Sequence, residues 1–196
     1  MVKIKTDFKL VPSKTLSYII GVQYGDGSIY HYKPKNNFSI RLSTVDREFL
    51  EEWGKCCYAV LGKNGKVPIN VLTTQYRDCY YSNVYSKKLF YFLSNSLDEH
   101  KRYIEVYPAE FVRGFFDSEG CVRNIAHKGL KISANNSNRK LINYIKELLY
   151  GLGIRNISFY LTKPGKKSYL YQKNRFIITK ATMYEVSFTK YTDLKT

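Results

Sequence analysis

Apolar residues recur along this chain at two spacings, one helical and one alternating, and the two take turns. Residues 16–27, reading L-S-Y-I-I-G-V-Q-Y-G-D-G, set Leu16, Ile19, Ile20 and Val22 on a helical stripe, with Ser13 placed to cap its start. Residues 28–32 predict a strand ending near Pro34. Residues 38–43 then alternate, with Phe38, Ile40 and Leu42 on the core face and Ser39, Arg41 and Ser43 on the other. From Asp46 to Leu61 the spacing is helical again, with Phe49, Leu50, Trp53, Cys56, Cys57 and Val60 inside and Gly62 as the stop. Residues 67–74 and 80–85 predict a hairpin joined through Gln75, Tyr76, Arg77 and Asp78, and Ser86 caps a helix from Lys87 to about Leu97.

The order then returns. Residues 111–120, F-V-R-G-F-F-D-S-E-G, form a second apolar run, with Pro108 suited to a first helical turn and Glu110 to its positive end. Residues 130–133 alternate as 40–43 do, and residues 138–153 predict a helix with Leu141, Ile142, Ile145, Leu148, Leu149 and Leu152 inside. Strands follow at 157–162 and at 176–179 or 183–189, with Lys163-Pro164-Gly165-Lys166-Lys167 as a basic turn. The separations are 93 residues from Asp26 to Glu119, 90 from Leu42 to Ile132 and 91 from Leu61-Gly62 to Leu152-Gly153. Near-constant offsets across a helix, a strand and a second helix predict a duplicated unit.

Each apolar run carries a glycine, an acid five residues on, and a closing glycine: Gly21, Asp26 and Gly27, then Gly114, Glu119 and Gly120. A mid-helix glycine lets a second helix come close. Asp26 and Glu119 then stand at helix C-termini, where the macrodipole disfavours an anion by about 0.3–1 kcal/mol. A divalent cation offsets that penalty, with the carbonyls of Gly25 and Ser118 as further oxygen ligands. The plainer reading is two amphipathic core helices with acidic, exposed ends.

These paired runs resemble the single-chain, two-motif LAGLIDADG homing endonucleases. Residues 19–27 supply I-I-G-V-Q-Y-G-D-G and residues 112–120 supply V-R-G-F-F-D-S-E-G, with Tyr24 and Arg113 as departures from the usual pattern. The resemblance implies an α/β (α+β) fold of two pseudo-symmetric half-units, 1–107 and 108–196. Each would be a motif helix with an antiparallel, saddle-forming sheet backed by helices, and Gly21 and Gly114 would lie where the motif helices pack. It implies cleavage of both strands of a long DNA site across the minor groove, leaving short 3′ overhangs. Asp26 and Glu119 would hold magnesium, with manganese as an alternative and calcium as a non-cleaving substitute. The family places polar or basic side chains around the attacking water; the corresponding strand-to-helix segments here, 43–45 and 134–136, lack the usual lysine or glutamine, and Thr44, Asn135, Asn136 and Arg123 are the candidate substitutes. An RNA maturase acting on intron RNA and a DNA-binding protein without cleavage are the alternatives.

Charge agrees with a polyanionic partner: 32 Lys and Arg against 16 Asp and Glu give +16, beside 19 tyrosines and 11 phenylalanines. On charge alone a ribosomal or membrane-surface protein competes. Arg41, Lys131, Gln75, Arg77, Arg123 and Arg175 are candidate base readers, flanked by Ser39, Ser43 and Ser133. Lys33, Lys35, Lys128, Lys163, Lys166, Lys167 and Lys173 are candidate phosphate contacts. No apolar run reaches a membrane span and residues 1–14 are too polar for a signal peptide, so an intracellular monomer is expected, in cytoplasm, nucleoid or organelle. Cys56, Cys57, Cys79 and Cys121 form no zinc spacing and read as reduced thiols, while His31, His100 and His127 read as packed or solvated.

Overall fold

Ser13 opens the first helix, its hydroxyl oxygen accepting from the Leu16 N–H at 3.2 Å, and α1 (Lys14–Tyr24) is buried on every side from Leu16 to Val22. The structure is a computed structural model that describes residues 10–73, 78–125, 129–170 and 175–190. Gln75, Arg77, Lys128, Lys173 and His127 lie outside the described residues, and of Arg175 only the backbone is described. The chain divides into two compact units, Met1–Ser118 and Glu119–Thr196.

In the first unit β1 (Ser28–Tyr32), β2 (Asn37–Thr44), β3 (Asn70–Thr73) and β4 (Asp78–Tyr85) form an antiparallel sheet in the order β1-β2-β4-β3. Phe38, Ile40 and Leu42 are buried as the alternation predicts, under α2 (Arg47–Val60) and α3 (Lys87–Leu93). Asp46 caps α2 by accepting from the Phe49 N–H at 3.0 Å. Gly54 is buried in mid-helix because the Val67 side chain occupies the space a Cβ would take. Val67 therefore packs from a loop, and β3 starts later than predicted.

The helix predicted from Lys87 to about Leu97 ends earlier, and a second helix that the sequence did not predict follows it. α3 stops at Leu93, and α4 (Leu97–Ile104) starts with a capping box in which Ser96 and Glu99 satisfy each other's backbone N–H groups. α5 (Pro108–Glu119) follows, and its residues up to Ser118 belong to the first unit.

In the second unit β5 (Gly120–Ile125), β6 (Gly129–Asn136), β7 (Ile157–Thr162) and β10 (Met183–Lys190) form an antiparallel sheet in the order β5-β6-β10-β7. α6 (Arg139–Gly151) packs on β6 and β10. Tyr144 joins its buried face, whereas Leu152 lies beyond the helix and is 40% exposed. A small hairpin pairs β8 (Lys167–Leu170) with β9 (Arg175–Ile178), and both 175–178 and 183–190 are strands. Among the described residues no helix is long and apolar enough to cross a membrane.

The repeat aligns differently from the sequence spacing. Thr44 Oγ1 accepts from the Asp46 N–H at 3.1 Å, and Asn136 Oδ1 accepts from the Asn138 N–H at 2.9 Å. Asp46 and Asn138 cap α2 and α6, and these positions lie 92 residues apart. By the same offset Leu42 matches Ala134, each 0% exposed, so Ile132 is not its counterpart. The error was a slip of two residues, which leaves every side chain on its own face and so is invisible to alternation. Ser43, Thr44, Ala134, Asn135 and Asn136 also belong to strands β2 and β6, not to the connections that follow them.

Candidate functional site

α1 and α5 meet backbone to backbone. A Cβ on Gly21 would collide with the Phe111 carbonyl, and one on Gly114 with the Tyr18 carbonyl. Ser17 Oγ donates to the Tyr107 carbonyl at 2.8 Å. Ser17 beside Tyr107 and Gly21 beside Phe111 mean that the two helices run in the same direction, through contacts made wholly within the first unit. Only glycine permits this approach, because ordinary side chains hold helix axes about 8–10 Å apart.

At the end of α1 the N–H groups of Gly25 and Gly27 both donate to the Val22 carbonyl, at 3.1 and 2.9 Å. The chain folds back so tightly that a Cβ on Gly27 would stand 2.7 Å from Gln23 Cα. Asp26 sits between these two glycines and is exposed. The surrounding protein nevertheless displaces water from its carboxyl and raises it above the ordinary carboxylate range. Glu119 is the last residue of α5, half-buried, and β5 begins at the next residue. The Ser118 hydroxyl donates back to the Gly114 carbonyl at 3.1 Å. A carboxylate disfavoured by its surroundings, beside helix-end carbonyls, offers hard oxygen donors of the kind that suit magnesium or manganese. Among the described residues no group of three or more His, Cys, Asp or Glu side chains gathers as a metal cluster, so any cation here would draw on few carboxylates and on carbonyls and water.

The residue two places before each acid is anchored, and the sequence reading missed both anchors. Tyr24 donates its hydroxyl to His100 Nδ1 at 2.8 Å, and His100 Nε2 lies 2.8 Å from the Phe92 carbonyl. A carbonyl only accepts, so Nε2 carries the proton and Nδ1 is the acceptor. Burial holds His100 below its ordinary value, keeping the ring neutral, and pushes the Tyr24 hydroxyl up to about 12. Asp117 instead accepts from the Tyr18 hydroxyl at 2.9 Å, and burial raises Tyr18 as well. Arg113, the other departure from the motif, stacks 4.1 Å from the Tyr18 ring centre and reaches Glu110 at 2.8 Å and Glu52 at 3.2 Å.

The sheet faces away from the helices hold the candidate readers. On the first, Ser28, Arg41 and Asn83 lie in one cross-strand row, Tyr30, Ser39 and Tyr85 in the next, and Ser43, Tyr81 and Asn70 in a third. Arg41 is the one charged side chain of that face among the described strand residues. On the second sheet Lys131 is no free cation: its Nζ pairs with Glu185 at 2.6 Å and lies 5.0 Å from the Tyr160 ring centre. Arg123 is exposed beside it, with Nε 3.5 Å from Cys121 Sγ. Ser133 is buried at 1% exposure, and Asn135 pairs in register with Glu185. Glu185 could have been noticed as the sole acid between Ile157 and Lys190. Lys33, Lys35, Lys163, Lys166 and Lys167 are exposed.

A LAGLIDADG-like domain is recognised over residues 107–187. The homing endonuclease I-DmoI of Desulfurococcus mucosus is 30% identical over 146 residues, 71% of this chain and 71% of that protein. The chain belongs to the LAGLIDADG homing endonuclease family. Two uncharacterised Methanocaldococcus jannaschii proteins, MJ0398 and MJ0314, are 35% and 33% identical over 84% and 85% of this chain. The chain spans 58% and 64% of their lengths. Among solved structures, I-DmoI in complex with DNA and Mn superposes with a TM-score of 0.60 at 18% identity, covering 91% of this chain and 90% of that one. The N-terminal LAGLIDADG domain of WhiA superposes with a TM-score of 0.51 at 11% identity, covering 95% of this chain and 79% of that one. The two-repeat LAGLIDADG fold, with its two antiparallel four-stranded sheets, is thus the fold of this chain.

Proposed function

We propose that this chain is a divalent-metal-dependent endonuclease that cuts both strands of a specific DNA site across the minor groove, leaving short 3′ overhangs, from a gene carried within an intron. The reading is carried by one observation: two parallel helices in glycine-mediated backbone contact each lead at their C-terminal end into an acid, Asp26 beyond α1 and Glu119 closing α5. Asp26 is held above its ordinary range by the protein around it, and both oppose a helix dipole.

Asp26 and Glu119 would hold the cation, magnesium being the working ion and manganese a substitute, with the carbonyls of Gly25 and Ser118 as further oxygen donors. When bound, such an ion lowers the pKa of water and neutralises charge on the phosphate. The chain's own share is to fix the two carboxylates: Gly27 clamps the turn around Asp26, and β5 pulls straight away from Glu119. Exposed lysines at 33, 35, 163, 166 and 167 supply phosphate contacts. Thr44 and Asn136 are occupied in steadying helix starts, which favours Asn135 and Arg123 as the polar groups near the attacked phosphate. That occupation is also what favours the second reading, specific DNA binding without cleavage.

The test is Asp26→Asn and Glu119→Gln, assayed against a randomised DNA library with magnesium for cleavage and with calcium for binding. Cleavage should fall by about a hundredfold or more, the scale of losing one charge-stabilising group, while specific binding persists. Wild-type protein that binds a sequence without cutting it would establish the second reading. Substitutions that abolish binding would mean that the acids are structural.

A further inference from the structure

Among the described strand residues the outer face of the first sheet is nearly neutral, although the chain as a whole carries +16. Serines, asparagines and tyrosines fill its middle three rows, Tyr32 with Asn37 and Cys79 with Leu72 make the end rows, and Arg41 stands among them as the single cation of the described strand residues. A face built to grip phosphates would carry several lysines. This one carries hydrogen-bonding groups without charge and one guanidinium.

That guanidinium is held still. Arg41 Nε donates to Ser43 Oγ at 3.0 Å, and its Cζ lies over the Tyr81 ring, 4.3 Å from the ring centre. Ser43 and Tyr81 are cross-strand partners, so both supports come from one rung of the β2–β4 ladder. With Nε spent on serine and one face on tyrosine, the two terminal nitrogens remain as a parallel pair of donors pointing off the exposed side chain. A fixed pair of parallel N–H donors matches the O6 and N7 acceptors on the major-groove edge of guanine, and a two-stranded ribbon is narrow enough to carry it there.

Among the described residues the device is not duplicated at the matching rung. By the 92-residue offset that aligns the helix caps, Arg41 corresponds to Ser133, which is 1% exposed, and Tyr81 stands where the second sheet has Glu185. On the neighbouring row of that sheet Lys131 is neutralised by Glu185, and the exposed Arg123 beside it spends its Nε on Cys121 Sγ at 3.5 Å, at a different rung from Arg41.

Resting on the DNA reading above, we infer that Arg41, held by Ser43 and Tyr81, is a specificity-determining residue that reads one guanine in the half of the target met by the first unit, with Ser133 and no guanidinium at the matching position of the second sheet. The target is then asymmetric at that base pair.

The test is selection of bound sequences from a random double-stranded DNA library in calcium, where cleavage plays no part. Four proteins are compared: wild type, Arg41→Ala, Arg41→Lys and Tyr81→Ala. Wild type should enrich a guanine at one position on one side only. Arg41→Ala and Arg41→Lys should lose that preference, with discrimination at the position falling about tenfold to a hundredfold, while the rest of the enriched sequence stays. Tyr81→Ala should blur it by less. Arg41→Lys separates reading from charge: a phosphate contact would tolerate lysine and would weaken all sequences alike in Arg41→Ala. Retention of the guanine in Arg41→Ala, or uniform weakening with an unchanged sequence preference, overturns the inference and leaves the nuclease reading standing. Wild-type protein that enriches no sequence overturns both.

Discussion

The last turns of α1 and α5 carry the same motif and hold it in different ways. Two places before Asp26, Tyr24 is tied to the buried imidazole of His100, which is tied in turn to the Phe92 carbonyl. Two places before Glu119, Asp117 is exposed and takes its hydrogen bond from Tyr18 of the facing helix. One end is fastened into the core through three elements, the other across the helix contact alone. A duplicated motif thus keeps what its geometry demands, the glycines and the acids, and replaces what merely has to hold them.

What the halves share should be the most sensitive to change. Replacing glycine with alanine in a helix ordinarily gains about 1 kcal/mol. At Gly21 and Gly114 the added methyl meets a backbone carbonyl of the other helix, which cannot step aside as a side chain can. Overpacking costs about 3 kcal/mol in such a setting. The loss wins, and each of Gly21→Ala and Gly114→Ala should lose about 2 kcal/mol or more in urea unfolding. A neutral or stabilising substitution at either position would show that the helices have room to part, and the symmetry of the contact would be lost with it.

What the halves do not share should separate under milder substitutions. Tyr24→Phe leaves Nδ1 of His100, a residue only 1% exposed, without its donor, and a buried polar atom left unsatisfied costs about 1–3 kcal/mol. Tyr18→Phe leaves the exposed Asp117 carboxylate to water, so its cost should stay below about 1 kcal/mol. Equal losses in urea midpoint would erase the distinction between a buried and a solvated anchor.

How much of this could be read in the sequence depends on the range over which each feature is decided. Ser13 and Ser86 cap the helices they appeared to cap, because capping is settled within three residues. The motif glycines and acids were visible by repetition, and family membership with them. The register of β6 was not, since Ala134 replaces a leucine and a slip of two keeps the alternation intact. The split between α3 and α4 hides in Ser94-Asn95-Ser96, where no glycine or proline marks the break. The Tyr24–His100 and Lys131–Glu185 pairs join residues 76 and 54 positions apart, and no local pattern carries such information.

The two anchors also differ in their response to acid. His100 is held below its ordinary value of 6.5 by burial, so between that value and its lower folded value the unfolded chain takes up a proton that the folded chain refuses. The stabilisation is therefore complete above 6.5 and is lost as pH falls toward the folded value, with a slope of at most about 1.4 kcal/mol per pH unit from this one group. The Tyr18–Asp117 anchor offers nothing comparable near neutrality, because the tyrosine is pushed above its ordinary value of 10.0 and stays a donor throughout. Urea midpoints measured from pH 7.5 to 5.5 should fall in the wild-type protein, and that fall should flatten in His100→Gln, where no imidazole remains to titrate. Tyr18→Phe should keep the wild-type slope. If His100→Gln declines as steeply as wild type, the acid sensitivity belongs to other groups, and the end of α1 is no more pH-dependent than the end of α5.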